Sequence, residues 1–275
     1  MSHPAAVRIR PARGWASLGL RQLWAFRELL FFLALRDIKA KYAQSVLGVG
    51  WAILNPLMQA LLFTVVFGEL AQLDSDGTPY LLFSFTAMVV WTYFSGVLTD
   101  ATNSLIRNRE MIGKVYFPRL ILPLTSIIGK GVDFGVALAV LFPLLFAYGY
   151  YPGWHVLMFL PLLLILLMTA AGAGAFLAAL AVQYRDVQYA MSTLIRLLMY
   201  AAPVVYSVDL IPESWRWLYA CNPLVGVIEG ARAIFLQSRP FPWAWVAIGG
   251  AVSLGVCLLG GLYFRRMERH FADIA

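Results

Sequence analysis

The chain has 275 residues, and its 21 Lys and Arg against 14 Asp and Glu give a formal net charge of +7. Apolar residues make up 61% and charged residues 13%, whereas a soluble domain has roughly 45–50% and about 25%. This composition excludes an ordinary soluble enzyme and a disordered tail, and it leaves too little polar surface for a nucleic-acid partner. The chain is therefore predicted to be an all-α integral membrane protein whose charges report its topology.

The N-terminal region is predicted to lie against the cytoplasmic face of a membrane. Residues 1–17 are interpreted as a cytoplasmic tail. Residues 18–42 interleave aromatic and aliphatic residues with basic ones, a pattern typical of an amphipathic helix in the membrane interface. The alternative is a basic anchor that only fixes the topology.

Residues 43–265 are predicted to form a six-span transmembrane domain. Crossing a bilayer takes about 20 apolar residues in a helix. The long charge-free stretch 134–184 is broken by turn-forming and aromatic residues at 148–154, so it is interpreted as two helices. The predicted spans are about 42–68, 77–99, 118–147, 156–182, 188–207 and 240–264.

The basic residues predict the orientation of these spans. If the N-terminus is cytoplasmic, 18 of the 21 basic residues fall on cytoplasmic segments or near the cytoplasmic ends of spans, and only Arg216, Arg232 and Arg239 lie outside. Such a bias favours an N-in, C-in topology. Residues 266–275 are then a cytoplasmic C-terminus.

The external segment 208–240 is unusually apolar for a loop, and three prolines divide it. It is predicted to form two short helices, re-entrant or interfacial, because non-spanning backbone is tolerated when it is buried against a bundle. Glu229 and Arg232 are three residues apart on the second helix, a spacing that favours a local ion pair. A gating role for this pair is the alternative.

The sequence contains no nucleotide-binding or hydrolytic motif. There is no GxxxxGK[ST] phosphate-binding loop, no GxSxG, no HExxH and no Cys/His cluster. The chain is therefore expected to be a transport subunit rather than an enzyme. A membrane-embedded transferase and a channel or scaffold protein are kept as alternatives.

Several segments together resemble one family. The run Arg36-Asp-Ile-Lys-Ala-Lys-Tyr-Ala-Gln-Ser-Val-Leu-Gly48, followed by Trp51-Ala-Ile-Leu-Asn-Pro-Leu57, resembles the start of type-2 ABC exporter permeases. The nearest group is the polysaccharide exporters, which are O-antigen, teichoic-acid and capsule permeases. Further similar pieces follow in order: Phe117-Pro-Arg119, Tyr184-Arg-Asp186, Ala202-Pro-Val-Val-Tyr206 and Asn222-Pro-Leu224.

The resemblance covers residues 20–265 and implies a function. Two copies of the permease would pair with two copies of a separate ABC ATPase, which would bind ATP and Mg, and this chain would hold no cofactor. The complex would export a polyprenyl-diphosphate-linked polysaccharide, with O-antigen as the expected polymer, across the bacterial inner membrane. The alternative is a type-2 ABC exporter of a lipid or drug.

The resemblance also implies where the ATPase docks. Residues 103–119 would act as a coupling loop, and the interface helix would contact the ATPase as well. A short helix is expected because Glu110 and Lys114 have i,i+4 spacing. The alternative is that these charges serve topology alone. The candidate coupling residues are Arg36, Lys39, Arg107, Arg109, Glu110 and Lys114.

Polar and aromatic residues inside the spans are candidates for the export path. Asn55 and Gln59 lie near a proline in the first span. The resemblance implies that this span helps line the exit path between two subunits, and a packing kink is the alternative. Trp91, Tyr93 and Phe94 on the second span could present ring faces to sugars, with an ordinary core as the alternative.

Arg196 is the most distinctive residue, because an Arg within a span is costly and functional by default. It is interpreted as a clamp for the diphosphate of the lipid carrier, since Arg binds phosphate bidentately. The alternatives are a side chain that extends to the interface or an ion pair with Asp133. Lys130 and Asp133 are expected to form a local pair of their own.

Overall fold

The structure, a computed structural model, describes residues 19–43 and 46–268. The predicted tail 1–17 and most of the predicted C-terminus 266–275 lie outside the described residues. Within the described residues the secondary structure is helical and contains no strand, so the all-α prediction is confirmed. The helices are α1 (Leu20–Ala25), α2 (Arg27–Tyr42), α3 (Gly50–Phe63), α4 (Tyr80–Arg107), α5 (Arg109–Lys114), α6 (Ile121–Ala147), α7 (Phe159–Gln183), α8 (Asp186–Tyr200), α9 (Glu213–Ala220), α10 (Pro223–Phe235) and α11 (Trp243–Met267).

Five helical stretches of the described chain are long and apolar enough to cross a bilayer. Three of them are α4, α6 and α11 alone. The other two gain extra turns, since a π-helical turn extends α3 to Leu70 and a 3₁₀ turn at Trp154–Met158 precedes α7. These stretches correspond to five of the six predicted spans, and the chain is a multi-pass membrane protein.

The fifth predicted span differs from its prediction. The helix α8 has 15 residues, which gives a length of about 22 Å, less than the roughly 30 Å of a bilayer core. The predicted continuous helix to residue 207 is wrong, because the helix ends at Tyr200. The physical reason is Pro203, whose ring clashes with a carbonyl one turn earlier and which has no N–H to donate.

The segment 201–207 that follows α8 is non-helical and mostly buried. Three of its carbonyl groups accept hydrogen bonds from other elements. The Tyr80 hydroxyl donates to Val205, the Arg232 guanidinium donates to Val204 at 3.1 Å, and the Asn222 side chain donates to Ala201 at 2.9 Å. Non-helical backbone at membrane depth requires such internal partners. The segment is thus fixed by α4 and α10.

The central element of the bundle is α4. It is the most buried of the five long helices, and it packs against α3, α6, α7, α8 and α10. Its inward side chains form the main apolar core. This arrangement leaves α3 and α8 on the periphery of the single chain, each with an exposed face.

The helices α7 and α11 pack in very close contact. A Cβ atom on Gly260 would overlap the carbonyl group of Gly172, and a Cβ on Gly172 would overlap the backbone at Val256. Only glycine at these two positions permits the observed approach. The pair forms a support on which α10 packs.

Two short helices, α9 and α10, occupy the segment 208–240, as predicted. The side chains of α10 are almost all buried against α4, α7 and α11. By contrast, α9 exposes Trp215 and Trp217. The position of these helices relative to a membrane stays a prediction.

The predicted interface helix 18–42 is two helices, because the chain breaks at Phe26 between α1 and α2. Leu33 and Ala34 are buried and belong to the side of α2 that packs on α6. Trp24, Phe31 and Phe32 are exposed on other sides. Apolar residues therefore surround much of the helix pair, and its exposed rings suit a lipid interface.

Candidate functional site

The two ends of the bundle carry different groups, and they are called here the α5 end and the α9 end. At the α5 end, the sequence prediction of a short helix in residues 103–119 is confirmed by α5. Lys114 and Glu110 form the predicted pair at 3.9 Å, with both side chains almost fully exposed. Such a pair contributes little to stability, so these charges, with exposed Val115 and Tyr116 beside them, are free to meet a partner.

Ionic contacts join the start of the α5 region to α2. The Arg36 guanidinium donates to the side-chain oxygen of Asn108 at 2.9 Å, and Arg107 lies 3.5 Å from the Asp37 carboxylate. Arg36 also pairs with Asp37 at 2.8 Å. Sequence reasoning singled out Arg36 and Arg107 but missed Asp37 and Asn108, because no local spacing links residues 70 positions apart.

The other end of the same loop is fixed by the end of α11. The Arg119 backbone N–H donates to the Glu268 carboxylate at 2.9 Å, and the Arg119 side chain donates to the Glu268 carbonyl at 3.0 Å. Glu268 also pairs with Arg265 at 3.0 Å. Lys39, another predicted coupling residue, is exposed on α2 and forms no ion pair with any other described residue.

The predicted local pair of Lys130 with Asp133 is wrong. Lys130 pairs instead with Asp100 of α4 at 3.1 Å, and Asp133 accepts hydrogen bonds from Lys41 and Tyr42 at the end of α2. The reason is that the two charges on α6 face different neighbouring helices. Burial, together with the Asp133 hydrogen bond, raises the pKa of Tyr42.

A cavity of about 300 Å³ is lined in part by the residues of these ion pairs, in the half of the bundle nearer the α5 end. We call it the α3–α6 cavity, since α3, α4 and α6 form most of its wall. It is partly open, and its lining mixes polar and aromatic groups. The lining includes Lys41, Trp51, Asn55, Thr92, Tyr93, Ser95, Thr99, Asp100, Lys130, Asp133 and Ile195.

The predicted path residues of α4 separate into two groups. All three side chains are buried in the single chain, with 4% of Trp91, 4% of Tyr93 and 5% of Phe94 exposed, and Trp91 and Phe94 do not line the α3–α6 cavity. Tyr93 contributes to the wall of the α3–α6 cavity, and its hydroxyl donates to the Ile127 carbonyl at 3.1 Å.

The predicted residues of α3 are exposed, and Asn55 also lies at the edge of the α3–α6 cavity, whereas Gln59 does not line it. Asn55 and Gln59 are exposed, and neither side chain has a hydrogen-bond partner among residues 19–43 and 46–268. They are one helical turn apart and therefore on one face. Pro56, between them, is buried and lines the cavity.

Arg196 is exposed on α8, about 15 Å along the helix from its start at Asp186. Its Nε donates to the Ser192 carbonyl at 3.2 Å, one turn back. The part of the chain that the structure describes places no carboxylate within ion-pair distance of it. The alternative of a pair with Asp133 is wrong, since Lys41 and Tyr42 occupy that carboxylate.

The predicted pair of Glu229 with Arg232 is confirmed at 2.7 Å. It is deeply buried, with 5% and 2% of the two side chains exposed. The guanidinium carbon also lies 3.4 Å from the centre of the Phe83 ring. Together with its bond to Val204, this makes Arg232 the link between α10, α4 and the segment 201–207. A gating role for the pair stays a prediction.

At the α9 end, an ionic cluster that sequence reasoning missed joins three separate segments. Arg239 pairs with Asp76 at 2.6 Å and also with Asp209, while Arg216 lies 3.6 Å from Asp209. The hydrogen bond from Arg239 lowers the pKa of the Asp209 carboxyl. The cluster joins the turn that precedes α4 to the segments that precede α9 and α11.

Comparison with known proteins identifies the family of this chain. The O-antigen export system permease protein RfbA of Myxococcus xanthus is 33% identical over 257 residues, covering 92% of this chain and 98% of that protein. A protein of the same name from Klebsiella pneumoniae is 28% identical over 248 residues, covering 90% and 95%. The polysialic acid transport protein KpsM of Escherichia coli is 23% identical over 206 residues, covering 73% and 78%. Residues 28–236 match the family described as ABC-2 type transporter, and the chain belongs to this family.

Proposed function

We propose that this chain is the permease subunit of an ABC exporter that moves a lipid-linked polysaccharide, O-antigen, outward across the bacterial inner membrane. The relatives named as O-antigen permeases over nearly their whole length support the substrate class. The basic residues concentrated at the α5 end support a cytoplasmic position for that end and for both termini. α8 and the buried segment 201–207 together would complete a sixth crossing.

The observation that carries the proposal is that polar side chains are exposed on α3 and α8, two helices at the periphery of the single chain. Asn55 and Gln59 are exposed on α3, and Ser192, Thr193 and Arg196 are exposed on α8. Polar and charged side chains in contact with lipid are expensive, so in membrane proteins they face the bundle interior or a water-filled path. The sides of α3 and α8 that carry these residues are therefore proposed to line a hydrated conduit between two copies of the chain.

Such a conduit suits a polymer because hydroxyl, amide and guanidinium groups form many weak contacts that can be exchanged as the chain slides. The same conduit would also receive the lipid-linked end. Arg196 has one side chain N–H directed to Ser192 and further donors in a planar fork. We propose that these donors bind the carrier diphosphate on the cytoplasmic side.

The α5 end is proposed to bind one ABC ATPase subunit per chain, with ATP and Mg held by that subunit. The exposed charges Arg109, Glu110 and Lys114 would contact the ATPase directly. The contacts of Arg36 with Asn108 and of Arg107 with Asp37 would pass its movement to α2. From α2 the movement reaches α6 through Asp133.

The first test is to deplete the chain in its own host and to locate the lipid-linked polysaccharide. The proposal expects polymer to accumulate on the cytoplasmic side and to disappear from the surface. Unchanged surface polysaccharide with a defect in lipid distribution or drug resistance would refute the substrate and favour an exporter of a lipid or drug.

A second test asks whether Arg196 is needed for export and whether another positive charge can replace it. Arg196→Ala is expected to reduce export while the complex with the ATPase still assembles, and Arg196→Lys should restore part of it. Arg185→Ala is the matched control, because Arg185 is exposed at the start of the same helix. Equal export by the Ala variants and the parent would refute the diphosphate clamp.

A further inference from the structure

The α3–α6 cavity has a lining whose charges cancel. Its two lysines, Lys41 and Lys130, are each paired with an aspartate, Asp133 and Asp100 respectively. A diphosphate would have to displace these carboxylates or lie against them, which opposes anion binding. The cavity therefore favours an uncharged ligand that can both donate and accept hydrogen bonds.

The remaining polar groups of the lining match a ligand rich in hydroxyl groups. Asn55 offers an amide with no partner among the described residues, and the carboxylates of Asp100 and Asp133 keep acceptor sites beyond their ion pairs. Thr92 lines the same wall, and its hydroxyl oxygen is buried without a partner in the described chain. Two neighbouring hydroxyls of a sugar can bind the two oxygens of one carboxylate, or the oxygen and the nitrogen of one amide.

An aromatic side chain completes this set at the cavity mouth. Trp51, at the start of α3, lines the cavity and has 47% of its surface exposed. Its indole face has no aromatic partner within the described residues. A large exposed ring beside convergent polar groups is the combination that holds a pyranose ring, whose C–H face packs on the π system while its hydroxyls reach the polar groups.

The cavity also borders the helix of the proposed diphosphate clamp. Ile195 belongs to its wall, and Arg196 follows directly on α8. We propose that the α3–α6 cavity binds the sugar unit next to the carrier diphosphate, with Trp51 as the stacking platform and Asn55 as a hydroxyl partner. This inference rests on the proposed function, and it adds a saccharide subsite to the phosphate contact.

The experiment compares two probes on the assembled complex of this chain with its ATPase in lipid nanodiscs. One probe is a polyprenyl diphosphate that carries a single N-acetylhexosamine, and the other is the same lipid diphosphate without sugar. Dissociation constants are measured for the parent, for Trp51→Ala, Trp51→Phe and Asn55→Ala, and for Arg196→Ala. Trp217→Ala is the matched control, since Trp217 is also an exposed indole but lies at the α9 end, away from the cavity.

The inference expects the parent to bind the sugar-bearing probe about tenfold more tightly than the sugar-free one. Trp51→Ala and Asn55→Ala should bring this ratio close to one without changing the affinity for the sugar-free probe. Trp51→Phe should keep part of the ratio, because a smaller aromatic ring can still stack on the sugar. The control Trp217→Ala should keep the full ratio.

Two results would overturn the inference. If the parent binds both probes equally, or if both Trp51 variants and Asn55→Ala keep the full ratio, the cavity is not a sugar subsite. In that case, if Arg196→Ala weakens the binding of both probes by the same factor, the proposed function still stands. If the parent binds neither probe, the proposed function fails, and the inference fails with it.

Discussion

Replacing Arg232 with Met tests whether the buried ion pair stabilises the α9 end of the bundle. The substitution leaves the Glu229 carboxylate, 5% exposed, without a counter-charge, and it frees the Val204 carbonyl in a buried segment. Breaking a buried pair by removing one partner costs about 3–5 kcal/mol. For a chain of this size that corresponds to a fall of roughly 6–20 °C in the apparent Tm.

The double variant Arg232→Met, Glu229→Met separates the pair from its surroundings. With neither charge left unpaired, most of the lost stability should return, apart from about 1 kcal/mol for the Val204 hydrogen bond. Arg216→Met is the control, because Arg216 faces the half-exposed Asp209 at 3.6 Å and should cost less than about 1 kcal/mol.

The assay is thermal unfolding of the purified permease in one detergent at a fixed scan rate, since membrane proteins often unfold irreversibly. Circular dichroism at 222 nm reports the loss of helix. The reasoning is refuted if the single and the double variant lose equal stability, because the cost would then come from lost packing. It is also refuted if Arg232→Met is no worse than Arg216→Met.

Three further substitutions address other parts of the structure. Gly260→Ala should lose about 1–3 kcal/mol of stability, because its Cβ would overlap the Gly172 carbonyl; Gly255→Ala on the same helix meets open space and should unfold at nearly the parent temperature. Asp209→Asn should lower the Tm more at pH 7 than at pH 3. A carboxyl whose pKa is lowered in the fold contributes its full stability above its unfolded pKa of about 3.9 and loses it as the pH falls through the folded pKa. An equal Tm difference at both pH values would contradict this. Asp37→Asn should reduce the amount of polymer exported per ATP hydrolysed, because it removes the carboxylate that holds Arg107 to α2. A proportional fall of the export rate and the ATPase rate would argue against a role of this contact in transmission.

The sequence predicted those parts of the fold that depend on local patterns. Five spans follow from charge-free stretches, and the two helices α9 and α10 follow from three prolines in an apolar segment. The pairs of Glu229 with Arg232 and of Glu110 with Lys114 follow from helical spacing. In each case the residues that determine the feature are neighbours along the chain.

Contacts between distant segments could not be predicted in this way. Lys130 has a carboxylate three residues away, yet it pairs with Asp100 on another helix, because the packing of α4 against α6 decides which groups meet. Trp91 and Phe94 carry the same aromatic signal as Trp51. Only the position of α4 at the centre of the bundle shows that the first two are core residues and that Trp51 is open.

The end of α8 at Tyr200, just before Pro203, leaves backbone groups that the helix itself does not satisfy. A continuous apolar helix to residue 207 would satisfy its own backbone and need no help from its neighbours. The protein instead ends the helix at Tyr200 and uses Tyr80 and Arg232 to satisfy the carbonyls beyond it. α8 contacts α4 and α7, and its exposed polar side chains, Arg196 among them, remain uncovered by the described helices of the chain. Under the proposed function, a shortened helix beside the central α4 would keep these polar side chains open to a conduit, as the passage of a hydrophilic polymer requires.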